Sequence, residues 1–365
     1  MKSVAILRET RDGERRVILK PPQVRLFHEA GFRVLVEHAA GAGLEISDRA
    51  YEQAGAEIVS TNTAWTGTPL VLKYKAPLPP EFDYFRPNLH LGAYLHAEGN
   101  PALTLALCHT GVTAYSYELF RTSDGIFPMS VASSEIAGKM AVLYAAYHLQ
   151  AHLGGAGVLL AGMPNIKPPK VVVIGYGNVG GAAVRLAAAV GAEVVALGTN
   201  PARLRRFAAT VPASVRCLIS TPDVLARELP DADVVIGAIL ISTYDTLPIV
   251  TEQLVQRMKC GAVLVDVTCG YGAGYLPTCD PFTTHHEPTI DRYGVLHIKV
   301  KTLPESVPVT TNEAVSSLIA PYLLTMAHAV YGEAVDPIST AGKVTEGGEV
   351  IHPEVRRHME MQPCP

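Results

Sequence analysis

No apolar run in the chain approaches the ~18 residues that span a bilayer. The opening stretch, MKSVAILRETRDGERR, is too briefly apolar to be a signal peptide. No membrane partner is therefore expected, and the expected location is the cytoplasm. Lysine and arginine nowhere gather into a block, and the net charge is −4, so the electrostatic footprint of a nucleic-acid-binding protein is missing. The six cysteines, at 108, 217, 260, 269, 279 and 364, contain no CxxC pair. That argues against a disulfide-stapled scaffold and a zinc ribbon, and for reduced thiols. What is present is 365 residues, 48% hydrophobic and 18% charged, enough for two domains with a core each.

Strand and helix signals alternate from the start. SVAIL and FRVLVEHA read as strands, PPQVRLFHEAG between them as a helix opened by proline and closed by glycine, and SDRAYEQAGA as a second helix. LVLKYKAP and LHLGAYLH continue the pattern, which implies parallel sheets covered by helices. The expected fold is α/β, with two Rossmann-like doubly wound domains and an active-site cleft between them. Residues 1–130 with 305–365 form the expected substrate domain, and residues 131–304 the dinucleotide-binding domain. PMSVASSEIAGKMAVLYAAYHLQ reads as a long bridging helix, and the final 25 residues, with Gly342, Gly347 and Gly348, as a partly ordered tail.

VVVIGYGNVGGAAV, residues 171–184, carries the clearest motif. Gly175, Gly177 and Gly180 form G-x-G-x-x-G after a β-branched run and before an alanine-rich helix, with Asn178 and Val179 inside the loop. The first glycine permits the tight turn, the second lets backbone approach a pyrophosphate, and the third lets the helix pack closely on the strand. About 20 residues on, such units carry an acid for the adenosine ribose. Here the strand GAEVVALGTN ends in Gly198. Without that carboxylate nothing repels a 2′-phosphate, and Thr199, Asn200 and Arg203 follow where they can bind one. The cofactor expected is NAD(P)(H), with NADP favoured; a ribose held by water or backbone leaves NAD open.

In the first domain, Arg16, Lys75 and His96 fall at expected strand ends, where ligands of open α/β sheets gather. An arginine grips a carboxylate through two hydrogen bonds, a lysine polarises a carbonyl, and a histidine moves protons near neutral pH. Together they describe a pocket for a 2-oxo acid. Each also has a plainer reading, Lys75 as a solvated residue and His96 as a partner for a loop carbonyl.

Over residues 1–335 the chain resembles the alanine dehydrogenases and the related catalytic subunit of pyridine nucleotide transhydrogenase. The resemblance rests on RETRDGERRV, GAGLEISDRAYEQAGAEIV, LKYKAPLP, AYLH, SEIAGKMA, the glycine loop, ADVVIGAIL, VTEQLVQRMKCGAVLVDV and LPESVPVTT. It implies an oxidoreductase of amino-acid metabolism that reduces an imine to an amino acid. In it Arg16 and Lys75 bind the 2-oxo acid, His96 is the acid/base, and Ser134, Arg203 and Ser220 contact the dinucleotide. It also implies a homo-oligomer. Saccharopine-type enzymes, which condense a 2-oxo acid with an amino acid, are similar to this family and stay open as an alternative, as does an NADPH-binding sensor without turnover.

The chain departs from the family at two points. The family's IDQGG aspartate, catalytically important there, is replaced by Gly270, beside Tyr271 and Cys269; Asp266 matches a different, strand aspartate. The family's NMPG reads TLPE, with Thr302 and Leu303. The loss of a carboxylate leaves room for a side chain larger than that of alanine. His285, His286 and Glu287 near Cys279 resemble a metal cluster, but the family has a polar loop there, so no metal is expected.

Overall fold

The computed structural model describes residues 2–239, 247–268 and 274–361. The chain divides into two compact units, Met1–Ala132 with Val307–Pro365, and Ser133–Ser306.

The first unit is built on strands β1 (Ser3–Ile6), β2 (Arg33–Glu37), β3 (Ala56–Val59), β4 (Leu70–Lys75), β5 (His90–Tyr94) and β6 (Thr113–Ser116). They lie in the order β3-β2-β1-β4-β5-β6 and all pair in parallel. Parallel neighbours need crossovers, which helices such as Pro21–Glu29 and Pro101–Thr110 supply. Strands covered on both faces are apolar throughout, as the complete burial of Val4, Ala5, Ile6, Leu70, Val71 and Leu72 illustrates. The order reverses direction between β1 and β4, the switch point at which such sheets hold ligands.

The final 25 residues, expected as a partly ordered tail, form defined elements over most of their length. Asp336 caps a short helix, Pro337–Ala341, through two backbone N–H groups. Lys343–Glu346 then pairs antiparallel with β6, and Glu349–Val350 with that strand in turn. Gly347 and Gly348, at φ 60° and 86°, make the turn between them, a hairpin geometry with positive φ at both central residues. The glycines taken for looseness are turn residues, and the segment completes an eight-stranded sheet.

The second unit contains β7 (Lys170–Ile174), β8 (Glu193–Gly198), β9 (Arg216–Ile219), β10 (Val234–Gly237), β11 (Val263–Asp266), β12 (Ile290–Arg292) and β13 (Val295–Ile298). Their order is β9-β8-β7-β10-β11-β13-β12, parallel except for the edge pair β12/β13. This is again a doubly wound sheet, with its switch point between β7 and β10. The long helix Val131–His148 presses on the glycine loop: a Cβ on Gly138 would lie 2.0 Å from the Val179 carbonyl oxygen. Gly138→Ala is therefore expected to cost about 1–3 kcal/mol of stability by overpacking and to weaken dinucleotide binding through Val179; urea unfolding and NADPH titration would measure both. Among the described residues, no helix is long and apolar enough to cross a membrane.

Candidate active site

The crossover after β1 carries Arg16, and the structure buries it: its exposure is 2%. Its Nε donates to Glu14 Oε1 at 2.6 Å and its Nη2 to Glu14 Oε2, while Nη1 lies 3.4 Å from the Tyr74 hydroxyl. The guanidinium also stacks 4.4 Å from the centre of the Tyr74 ring. The backbone beside it is pinned from helix Pro308–Val330, where buried Asn312 accepts the Val17 N–H through Oδ1 at 2.8 Å. Burial pushes the Glu14 carboxyl up, but the Arg16 hydrogen bonds and charge outweigh it and hold the group below its ordinary value, with Lys75 adding to the effect. Arg16, Glu14, Tyr74 and Lys75 are thus one electrostatic group at the switch point.

Lys75 ends β4, half-buried and paired in register with Tyr94 on β5, just ahead of His96. The pairing register shifts between Leu72 and Lys75, so simple alternation does not relate Lys73 to Lys75. Lys73 is fully buried, with Nζ 2.8 Å from Glu81 Oε1 and 3.9 Å from Glu9 Oε2. Burial raises Glu9 to about 7, although it accepts the Tyr74 N–H at 2.7 Å. Sequence reasoning missed this neighbouring cluster; two lysines at alternate positions of the apolar stretch LVLKYK were its available signal.

His96 stands at φ 47°, in the left-handed region, which turns its side chain out of the strand direction at the end of β5. Its N–H donates to Glu118 Oε1 at 2.5 Å, and its Nδ1 lies 3.6 Å from Glu118 and 3.9 Å from Glu98. Burial raises Glu118, whereas Glu98 is lowered because the His96 hydrogen bond and charge overcome its burial. The ligand atoms of these three residues lie within 4.8 Å of one another, near enough to hold a cation. No metal was expected in the chain, and neither carboxylate was singled out: Glu118 enters from the loop after β6, distant in sequence. Tyr94 bridges the two groups, with its ring 5.5 Å from Tyr74 and its hydroxyl feeling the charges of both Glu118 and Arg16.

In the second unit the glycine loop has the geometry of a phosphate cradle. Gly175 has φ 102°, and a Cβ there would lie 2.4 Å from the Ala238 oxygen; one on Gly180 would lie 2.0 Å from the Gly175 oxygen. A Cβ on Gly177 would meet nothing within 4 Å, so the backbone there is open to a ligand. Gly177 caps helix Asn178–Ala189 and no side chain bonds its first amides, leaving Asn178, Val179 and Gly180 to present N–H groups to an anion. These residues fit the pyrophosphate of a dinucleotide. Ser134 lies one turn before Gly138, on the face that meets the loop.

At the end of β8, Gly198 is buried while Thr199, Asn200 and Arg203 are exposed. The Ser220 N–H donates to the Gly198 oxygen at 2.9 Å. Asn200 is less available than expected, because its Oδ1 accepts the Arg203 N–H at 3.0 Å and caps helix Pro201–Ala208. Tyr176, from inside the glycine loop, covers Gly198 and donates its hydroxyl to the Asn200 oxygen at 3.2 Å.

Asp266 ends β11, buried and raised to about 6 by that burial, and accepts the Thr268 N–H at 2.9 Å. Gly270, Tyr271 and Cys269 lie outside the described residues. His285 lies 2.7 Å from the Tyr144 hydroxyl and 3.2 Å from the Thr302 oxygen, contacts that join segments of its own unit.

Comparison with known proteins agrees with this architecture. The family models described as alanine dehydrogenase/PNT, N-terminal domain and C-terminal domain match residues 5–137 and 141–353. The alanine dehydrogenase of Bacillus subtilis (strain 168) is 38% identical over 365 residues, 99% of this chain and 96% of that protein. Alanine dehydrogenase 2 of Staphylococcus aureus (strain USA300) is 36% identical, over 98% of this chain and 97% of its own length. A solved L-alanine dehydrogenase superposes with a TM-score of 0.90 at 34% identity, covering 98% of this chain and 99% of that one. A transhydrogenase from Sinorhizobium meliloti, at 24% identity, shares the fold with a TM-score of 0.79 over 96% of this chain and 99% of its own. By its two matched domains and its full-length relatives, the chain belongs to the alanine dehydrogenase/PNT family.

Proposed function

We propose that the chain is an NAD(P)-dependent amino-acid dehydrogenase, interconverting an amino acid with its 2-oxo acid and ammonia. The observation that carries this reading is the assembly at the ends of β4 and β5, where Arg16 and Lys75 share the counter-charge of Glu14 and His96 follows on the adjacent strand. Arg16 and Lys75 both act on the Glu14 carboxyl, and cations of these two kinds are suited to the carboxylate of a 2-oxo acid. In this reading Arg16 orients that carboxylate. Lys75 polarises the carbonyl, then the imine formed when ammonia adds and water leaves. His96 gives and takes the proton that accompanies these steps. The nicotinamide cofactor, when bound, supplies or accepts the hydride at the α-carbon. Gly175, Gly177 and Gly180 hold it, with Ser134, Arg203 and Ser220 alongside.

Relatives named alanine dehydrogenase at 36–38% identity favour the ammonia reaction over condensation with a second amino acid or binding without turnover. The missing acid at Gly198 supports NADP over NAD. Gly270 in place of an acid supports a substrate larger than alanine. A homo-oligomer in the cytoplasm is the setting the family resemblance implies.

The experiment is oxidation of NADPH and of NADH with a panel of 2-oxo acids, each with ammonia and again with lysine or ornithine. Turnover with ammonia supports the dehydrogenase, turnover only with the amino acids replaces it with the condensing reaction, and none in any combination overturns the proposal.

A further inference from the structure

The absent ribose acid has a structural counterpart. A Cβ on Gly198 would lie 1.8 Å from Tyr176 Cε1 and 2.4 Å from its Cδ1. Real Cβ atoms do not approach ring carbons so closely, and the ring is held where it is. Its hydroxyl donates to the Asn200 oxygen at 3.2 Å, and its face leans on Phe207 with centroids 5.5 Å apart. The glycine at the end of β8 is therefore a position that Tyr176 has taken over, rather than a vacancy.

We propose that Tyr176 and Gly198 act as one specificity-determining unit, the tyrosine ring occupying the space of a ribose-binding side chain and fitting the site to a 2′-phosphorylated dinucleotide. This rests on the reading that the glycine loop binds a nicotinamide dinucleotide. A carboxylate at the end of the second strand accepts the ribose hydroxyls and repels a phosphate. A phenol offers an uncharged hydroxyl and a flat apolar face, with no such repulsion. Arg203, a residue type that can bind a phosphate, is exposed in the first turn of the helix that follows. The two positions are sterically exclusive, so neither changes alone without consequence: an acid restored at 198 must first displace the ring.

The test is a set of binding titrations, following NADPH and NADH fluorescence with the wild type, Gly198→Asp, Tyr176→Ala and the double variant. The wild type is expected to bind NADPH more tightly. Gly198→Asp alone is expected to weaken both cofactors, because the ring is driven out of its place. Adding Tyr176→Ala is expected to recover NADH binding by roughly tenfold over Gly198→Asp, the non-additivity of side chains in contact. Gly198→Ala with and without Tyr176→Ala repeats the steric comparison without a charge, and thermal unfolding without cofactor checks that each variant is folded. Gly198→Asp alone converting the protein to full-strength NADH binding would overturn the coupling. A wild type preferring NADH, with the coupling intact, would overturn the 2′-phosphate assignment but leave dinucleotide binding standing. No binding of either cofactor by the wild type would overturn the underlying reading itself.

Discussion

Replacing His96 with asparagine is expected to lower turnover by roughly 10²–10⁴-fold, the usual contribution of a positioned acid/base, while NADPH still binds. Asparagine is the informative substitution because His96 sits at φ 47°, a conformation asparagine adopts more readily than alanine. The backbone N–H that donates to Glu118 is retained, so the loop keeps its anchor and only proton transfer is lost. Steady-state rates with the preferred 2-oxo acid, set beside NADPH titration of the same sample, would check the result. A variant with wild-type kcat would remove His96 from the chemistry.

Arg16→Met is expected to cost both activity and about 3–5 kcal/mol of stability, the penalty for leaving the partner of a buried ion pair uncompensated. The Glu14 side chain is 0% exposed, and the Arg16 side chain 2%. In the wild type the Glu14 carboxyl is held below its ordinary value: burial raises it, and the Arg16 bonds more than reverse this. A depressed carboxyl contributes stability present above its unfolded value of 4.5 and lost as pH falls through the folded one. Without the Arg16 guanidinium, burial, the largest influence, is opposed only by the retained residue-16 backbone N–H and the Lys75 charge; the sign is expected to reverse, so the variant should lose further stability as pH rises. Urea unfolding at acid and neutral pH would measure this. The double variant Arg16→Met with Glu14→Met is expected to regain most of the stability and none of the turnover, separating the structural from the substrate-binding role. A single variant as stable as the wild type would mean the ion pair is better solvated than its burial implies.

The main frame of the molecule was legible in the sequence because its signals are local. Val171–Ile174 and the three glycines that follow declare a strand, a turn and a helix start within a dozen positions, and parallel strands advertise themselves by unbroken apolar runs. Lys75 and His96 were visible as polar residues at or just past strand ends, whereas Arg16, expected at a strand end, lies ten residues beyond β1 in the crossover. What the sequence did not disclose depends on residues distant along the chain. Glu118 reaches His96 from another strand's exit, and Asn312 steadies Val17 from a helix near the other end of the chain. Tyr176 gave no sign of its role, since a side chain inside a glycine motif reads as filler until its ring is found over Gly198. The C-terminal hairpin was misread because paired glycines mark both loose chain and tight turns, and only a partner strand distinguishes them.

That hairpin has a consequence for biosynthesis. β6 finds its outer neighbour only when Lys343–Glu346 has been made, and Val17 its acceptor only when Asn312 has. On the ribosome the N-terminal segment, Met1–Ala132, must therefore wait with an open sheet edge while the intervening unit, Ser133–Ser306, is translated as one continuous stretch. An edge left open is a template for wrong pairing, and closing it across so long a separation is slow. The vulnerable moment for this chain is its own synthesis, when the N-terminal part of the first unit exists without the strand that seals it, and nascent-chain chaperones would have most to protect there.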